Sequence, residues 1–143
     1  MIVKLKRENQ AFHFQAENED GVSISLDASP EIGGENKGFR PMQLLLAGIG
    51  GCSGIDIILI LQKQRQKVDD FSIEVSADRQ KNTTPALFEN IHVTFSFVGT
   101  LDKNKVYRAV ELSMEKYCSV AKILEKSASI SYSVKLNGEK VSF

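Results

Sequence analysis

Two cysteines hold most of the chemistry open to this chain. Cys52 sits in "LLLAGIGGCSGIDIILIL", residues 44–61, among Gly48, Gly50, Gly51 and Gly54 and between two apolar runs. Cys118 follows much later, in "KYCSVAK". A thiol among glycines has four readings: an inert buried side chain, the nucleophile of a tight elbow, part of a nucleotide-binding loop, or a redox centre. A dinucleotide fingerprint asks for G-x-G-x-x-G after a strand. Gly48 and Gly50 begin one, but Ser53 occupies the third glycine position and the preceding residues pattern as helix. "GGCSG" fits the cysteine form of a G-x-S-x-G elbow. Such a hydrolase needs a histidine base and an acid to orient it. The two histidines, His13 and His92, fall in the middle of alternating segments, and no βαβ unit is expected.

The inert reading has weight, because free cysteine is among the most buried residue types and behaves as a small hydrophobe. The second cysteine shifts the balance. Cys52 follows a glycine-rich break and Cys118 precedes "SVAKILEKS", so both are expected at helix heads. Partial positive charge there favours thiolate over thiol. A thiolate of that kind attacks an oxidant, and a partner thiol in reach traps the sulfenic acid before it over-oxidises. Spacing in the chain does not bring the two sulfurs together, so the inert and redox readings both stand at this point.

The elements that must position these thiols follow from hydrophobic periodicity. "IVKLKR", "AFHFQAE" and "VSISLDA" alternate, with Phe12, Phe14 and Ala16 on one side of the second and Val22, Ile24 and Leu26 on one side of the third. This predicts an antiparallel meander with one buried face. "SPEIGGENKGFRP" is a loop punctuated by prolines and glycines. Pro41 suits the first position of a helix. From Met42 to about Lys67 the chain is apolar on nearly every side until "QKQRQK", the pattern of a buried central helix. Each glycine inside it costs roughly 1 kcal/mol relative to alanine. Either the helix breaks before Cys52, or another backbone comes very close.

"DFSIEVSADR" and "LFENIHVTFSFVG" alternate again and read as a hairpin, with Phe71, Ile73, Val75 and Ala77 on one face and Ile91, Val93, Phe95 and Phe97 on one face. "DKNKVYRAVELSMEKYC" is an amphipathic helix with Asp102 as N-cap and Val106, Val110, Met114 and Tyr117 inward. It continues helically after Cys118, and "SISYSVKLNG" closes the chain as a strand. With no repeat or linker, residues 1–143 are expected to form a single α+β domain.

Composition narrows the function. At 143 residues the chain can bury a core without metal or disulfide staples. Lysine plus arginine balances aspartate plus glutamate, 18 against 18, which gives no electrostatic reason for a nucleic-acid partner. "MIVKLKRENQ" lacks the pattern of a signal peptide. "IDIILIL", interrupted by Asp56, is too short a run to cross a bilayer. A cytoplasmic protein with no membrane partner is therefore expected, and there cysteine pairs are more often redox-active than structural. His13 and His92 lack ligand spacing, so no metal is expected. Asp56 must pair, hydrogen-bond or shift its pKa on so apolar a helix. It is expected on that helix's one polar side.

In order along the chain, "EIGG", "RPMQLLLAGIGGCSGID" and "YCSVAKIL" resemble the motifs of the OsmC/Ohr family of osmotically inducible and organic-hydroperoxide-resistance proteins, and within it the YhfA-like subgroup. The resemblance covers essentially the whole chain. It implies an OsmC-like α+β fold, with antiparallel sheets wrapped around a long buried central helix in an intertwined homodimer. It implies a thiol peroxidase acting on organic hydroperoxides, with Cys52 peroxidatic and Cys118 resolving, reset by a small dithiol or a dithiol protein. It implies no cofactor. Well-studied members carry a glutamate shortly after the proline that holds an arginine over the reactive thiol; here Met42 and Gln43 stand there, and Gln43 brings no charge. Arg7 is the sole arginine before Arg40, and Arg40 is expected to supply positive charge near Cys52. Two rival functions fit the same fold type. One is a binding protein for a small apolar or acyl ligand. The other is a thioesterase-like enzyme of the hot-dog type, which would not require Cys118.

Overall fold

Alternation produces strands close to where it predicts them. In the computed structural model, which describes residues 1–142, β1 (Val3–Arg7), β2 (Phe14–Asn18) and β3 (Ser23–Leu26) form an antiparallel sheet in that order. The register Leu5↔Ala16↔Ile24 puts these residues on one face. The expected burial of that face does not hold within one chain. Val3, Leu5, Phe14 and Ile24 stay 37–57% exposed, and Ala16 alone among them and itself is buried. Phe12 and Val22 are exposed too.

After β3 the loop is organised by one carboxylate. Asp27 is buried and accepts backbone N–H bonds from Ala28 at 2.8 Å and from Glu35 and Lys37 at 3.0 Å each. The Lys37 N–H does most to hold its pKa below the usual carboxylate value; burial works the other way, and the Glu35 and Ala28 N–H groups reinforce the lowering. Gly34 is required here, since a Cβ would lie 1.9 Å from the Ala28 carbonyl oxygen. The chain forms two units, one ending at Leu45 and the other starting at Leu46.

Helix α1 (Pro41–Lys63) starts at the proline, as predicted, and runs unbroken through all four glycines. Cys52 is therefore in mid-helix, not at a helix head. What comes close is a neighbouring strand's side chains. A Cβ on Gly54 would meet Ile73 Cδ1 at 2.7 Å, and one on Gly50 would meet Val75 Cγ2 at 3.3 Å. The close packing that these glycines permit offsets their weak helix propensity. Ile49, Ser53, Ile57 and Leu61 are fully buried, whereas Ile55 is 66% exposed and Leu59 and Leu45 are exposed as well. The helix is thus buried on one side only. The run "IDIILIL" is only part of the second half of this helix. The whole helix, with a mean hydropathy of 2.2 over 18 residues, is long and apolar enough to cross a bilayer by length and composition alone.

The second unit holds a four-stranded sheet. β4 (Asp70–Arg79) and β5 (Phe88–Val98) form the expected hairpin, with Phe71↔Phe97, Ile73↔Phe95 and Val75↔Val93 in register. The Phe71 and Phe97 rings stack 4.5 Å apart. β6 (Ser129–Leu136) then pairs parallel to β5, so a βαβ crossover is present where none was expected. Its connection comprises α2 (Lys103–Leu112), a π-turn at Ser113–Tyr117 and α3 (Ser119–Leu124). Asp102 caps α2 as predicted, accepting from Asn104 N at 2.9 Å and Lys105 N at 3.2 Å. Beyond β6 lies an additional short strand, β7 (Glu139–Val141), reached through a two-residue turn with positive φ at Asn137 and Gly138. The core joins Ile91, Val93, Phe95 and Phe97 to Val106, Val110 and Met114. Tyr117 departs from the expected inward row and is 49% exposed, because the wide turn rotates it off the α2 face.

Candidate active site at Cys52 and Cys118

The crossover delivers Cys118 to α1. Cys118 ends the π-turn and leaves helical geometry, with φ −66° and ψ 103°, to become the N-cap of α3. Its sulfur accepts the Ala121 N–H at 3.4 Å and lies 4.0 Å from the Ile49 carbonyl oxygen on α1. Cys52 is three residues on from Ile49 and half-buried, whereas Cys118 is fully buried. The two thiols are unbonded neighbours, Cys52 lying close enough to Cys118 to raise its pKa. The structure therefore brings together the two sulfurs that the sequence could not.

A helix head was expected to favour thiolate at Cys118, and the balance falls the other way. Burial pushes its pKa up from an ordinary 9.0 to about 11. The Ala121 N–H pulls it down, but the hydrogen bond to Cys52 adds to the rise. One turn of backbone donors on a six-residue helix does not compensate for the loss of water. Cys118 is consequently a protonated thiol beside Cys52, directed at the Ile49 carbonyl. Chemically this is an asymmetric dithiol, with a half-buried outer cysteine and a buried inner one that keeps its proton.

Two buried serines complete the site, and sequence reasoning missed both. Ser53 Oγ donates back to the Ile49 carbonyl at 2.6 Å. Ser113 Oγ lies 3.3 Å from the Ser53 carbonyl and 3.3 Å from Asp56 Oδ2. Asp56, half-buried, thereby gains the hydrogen-bond partner its position on α1 demanded. The available signal was a hydroxyl at a core-facing position of an amphipathic helix, between Val110 and Met114 on one side and Cys118 on the other.

The first unit holds the other two predicted residues. Arg40 donates from Nη1 to the carbonyls of Gly38 at 3.1 Å and Asp27 at 3.3 Å, and from Nη2 to Asn36 Oδ1. Gln43 Oε1 accepts the Arg40 backbone N–H at 2.9 Å, the N3-to-N-cap half of a capping box. Arg7 is tied to its own turn through the Ala11 carbonyl at 2.9 Å and the Gln10 carbonyl. Each guanidinium thus braces a loop. His92 lies between Ser131 Oγ (2.8 Å) and Ser133 Oγ (3.0 Å), and His13 Nε2 is 3.3 Å from Ser25 Oγ.

Residues 34–133, which span the two cysteine segments and begin at the second glycine of "EIGG", match the family described as OsmC-like protein. The chain belongs to the OsmC-like family. Protein YhfA of Escherichia coli (strain K12) is 40% identical over 121 residues, which is 84% of this chain and 87% of that protein. A crystal structure of a hypothetical protein from Aquifex aeolicus VF5 is 36% identical, with a TM-score of 0.78 over 95% of this chain and 96% of that one. The OsmC-like fold extends to an organic hydroperoxide resistance protein OsmC from Legionella pneumophila. There the TM-score is 0.70 and identity is 20% over 94% of this chain and 97% of that chain.

Proposed function

We propose that this OsmC-like chain is a dithiol peroxidase for organic hydroperoxides. The observation that carries the reading is the pairing of half-exposed Cys52 with buried, protonated Cys118. The Cys52 thiolate attacks the distal oxygen of ROOH, the O–O bond breaks, and the leaving alkoxide takes a proton to become ROH. Cys52 is left as sulfenic acid. The Cys118 sulfur then attacks the Cys52 sulfur, an S–S bond forms, and the hydroxyl departs as water with the Cys118 proton. A dithiol reductant restores both thiols by exchange and is itself oxidised. Such resetting suits a cytoplasmic setting, where thiols are kept reduced. Arg40 and Gln43 support this reaction by bracing the loop before α1 and capping its start.

A second copy of the chain completes the assembly. The open apolar side of α1, with Ile55 and Leu59, supports a homodimer, as does the uncovered sheet face of β1–β3. Sedimentation of the wild type as a dimer and of Ile55→Asp as a monomer is the expected pair of results; a monomeric wild type would remove this part. For the chemistry, reduced protein is mixed with cumene hydroperoxide and its thiols are titrated. Both thiols disappear together, and Cys52→Ser abolishes peroxide consumption. Unchanged thiol counts in the wild type would end the reading.

A second reading is favoured by Gln43, whose amide is spent on the helix cap and brings no carboxylate to an arginine. The fold then serves as a carrier of a small apolar or acyl ligand along the exposed stripe of α1. Native mass spectrometry of freshly purified protein decides: a co-purified ligand with slow peroxide turnover supports the carrier, and ligand-free protein with fast turnover dismisses it.

A further inference from the structure

Ser113 joins the two thiol-bearing segments through both of its polar groups. Its fully buried hydroxyl reaches α1 at the Ser53 carbonyl, one residue past Cys52, and at Asp56, one turn further on. Its carbonyl accepts the Cys118 N–H at 2.8 Å, the bond that spans five residues and closes the π-turn. An ordinary α-helix would give that N–H to Met114 and continue. The wider turn adds a residue, so Cys118 leaves the helix and its sulfur meets α1. A hydroxyl buried at this position is costly unless it is bonded, and alanine is the better helix former. Its cost is offset by the two acceptors on α1 that share its single O–H.

We propose that Ser113 is a positioning residue for disulfide formation: its hydroxyl pins the π-turn to α1 while its carbonyl sets Cys118 against Cys52. This rests on the dithiol reading of the site, but it concerns the meeting of two sulfurs and not the attack on peroxide. The test is therefore independent of peroxide. Reduced protein is equilibrated with mixtures of oxidised and reduced dithiothreitol. Exchange forms the Cys52–Cys118 bond, opens the reagent's S–S ring and transfers both thiol protons to its sulfurs, and mass spectrometry reads the two-proton loss.

Ser113→Ala lowers the equilibrium constant for the intramolecular disulfide by about threefold to tenfold, one buried hydrogen bond setting the ceiling. Ser113→Thr, which keeps the hydroxyl, stays within about twofold of wild type. Asp56→Ala, at a half-buried site where folding is more secure, removes one acceptor and lowers the constant by about threefold. A Ser113→Ala constant equal to wild type in a cooperatively melting protein overturns the proposal, as does a wild type that forms no such disulfide. A wild type inert to cumene hydroperoxide whose exchange constant still falls in Ser113→Ala retires the peroxidase and leaves the positioning role in place. Active peroxidase with an unmoved constant does the reverse.

Discussion

Cys118 stands beside Cys52 as the fully buried member of an unequal pair whose other member is half-buried, and burial holds its proton on sulfur. Burial dominates this inequality, and burial is a property of the whole crossover rather than of the residue. Cys52 is half-buried, and Cys118 is closed off from solvent.

This inequality has a pH signature. The folded protein holds the Cys118 proton up to about pH 11, whereas an ordinary thiol loses it near 9.0. Between these values the folded state binds more protons than the unfolded one, so stability falls as pH rises. The contribution is complete below pH 9.0 and gone above about 11. Urea midpoints across this window should decline more steeply for wild type than for Cys118→Ser. Parallel declines would show that Cys118 titrates normally.

The glycines of α1 are expected to respond in opposite directions. Nothing lies within 4 Å of a Cβ placed on Gly51, so Gly51→Ala should stabilise the monomeric chain by about 0.5–1 kcal/mol. Gly54 is pressed by Ile73 and Phe71, and Gly54→Val should cost about 1–3 kcal/mol through overpacking. Chemical denaturation under conditions that keep the chain monomeric gives both values. Equal effects at the two positions would contradict the packing of α1 on β4.

At the start of α1, Gln43→Ala should cost about 0.5–1 kcal/mol by freeing the Arg40 N–H. Gln43→Glu keeps the acceptor and adds a negative charge at a helix N-terminus, so it should match or exceed wild type. Thermal midpoints of the three proteins check the order. An unchanged Gln43→Ala midpoint would mean that the cap contributes nothing.

Asp27 predicts sensitivity to acid. Its pKa is held below 3.8 by backbone N–H groups, with Lys37 first. The folded state therefore binds fewer protons, and the stabilisation is present above 3.8 and lost as pH falls through the lowered value. Asp27→Asn should be less stable than wild type at neutral pH, and the gap should shrink as the medium is acidified. A gap that stays constant with pH would assign the effect to shape alone.

How much of this was legible beforehand varied with the range of the interaction. Period-two patterns in residues 71–77 and 91–97 produced the correct hairpin and its shared face, because pleat alternation is local. Pro41 marked the helix start for the same reason. The glycines of α1 left a break and a close approach both open, because the packing of Gly50 and Gly54 depends on Ile73 and Val75, which no local pattern couples to them. β7 was missed although Asn137–Gly138 carries the turn signal; three residues are too few to show alternation. The parallel pairing of β6 to β5 and the π-turn are tertiary outcomes. Both cysteines were singled out by type and motif, whereas Ser113 passed as one more polar residue in a helix.

A single inserted residue in the π-turn has a consequence for how this chain can vary. The bond from the Cys118 N–H to the Ser113 carbonyl spans one residue more than an α-helical bond. Deleting one residue between them would turn it into an ordinary helical bond and change where the chain leaves the helix, even if every remaining side chain were kept. In this stretch the number of residues is the more rigid quantity, and substitution is the gentler change.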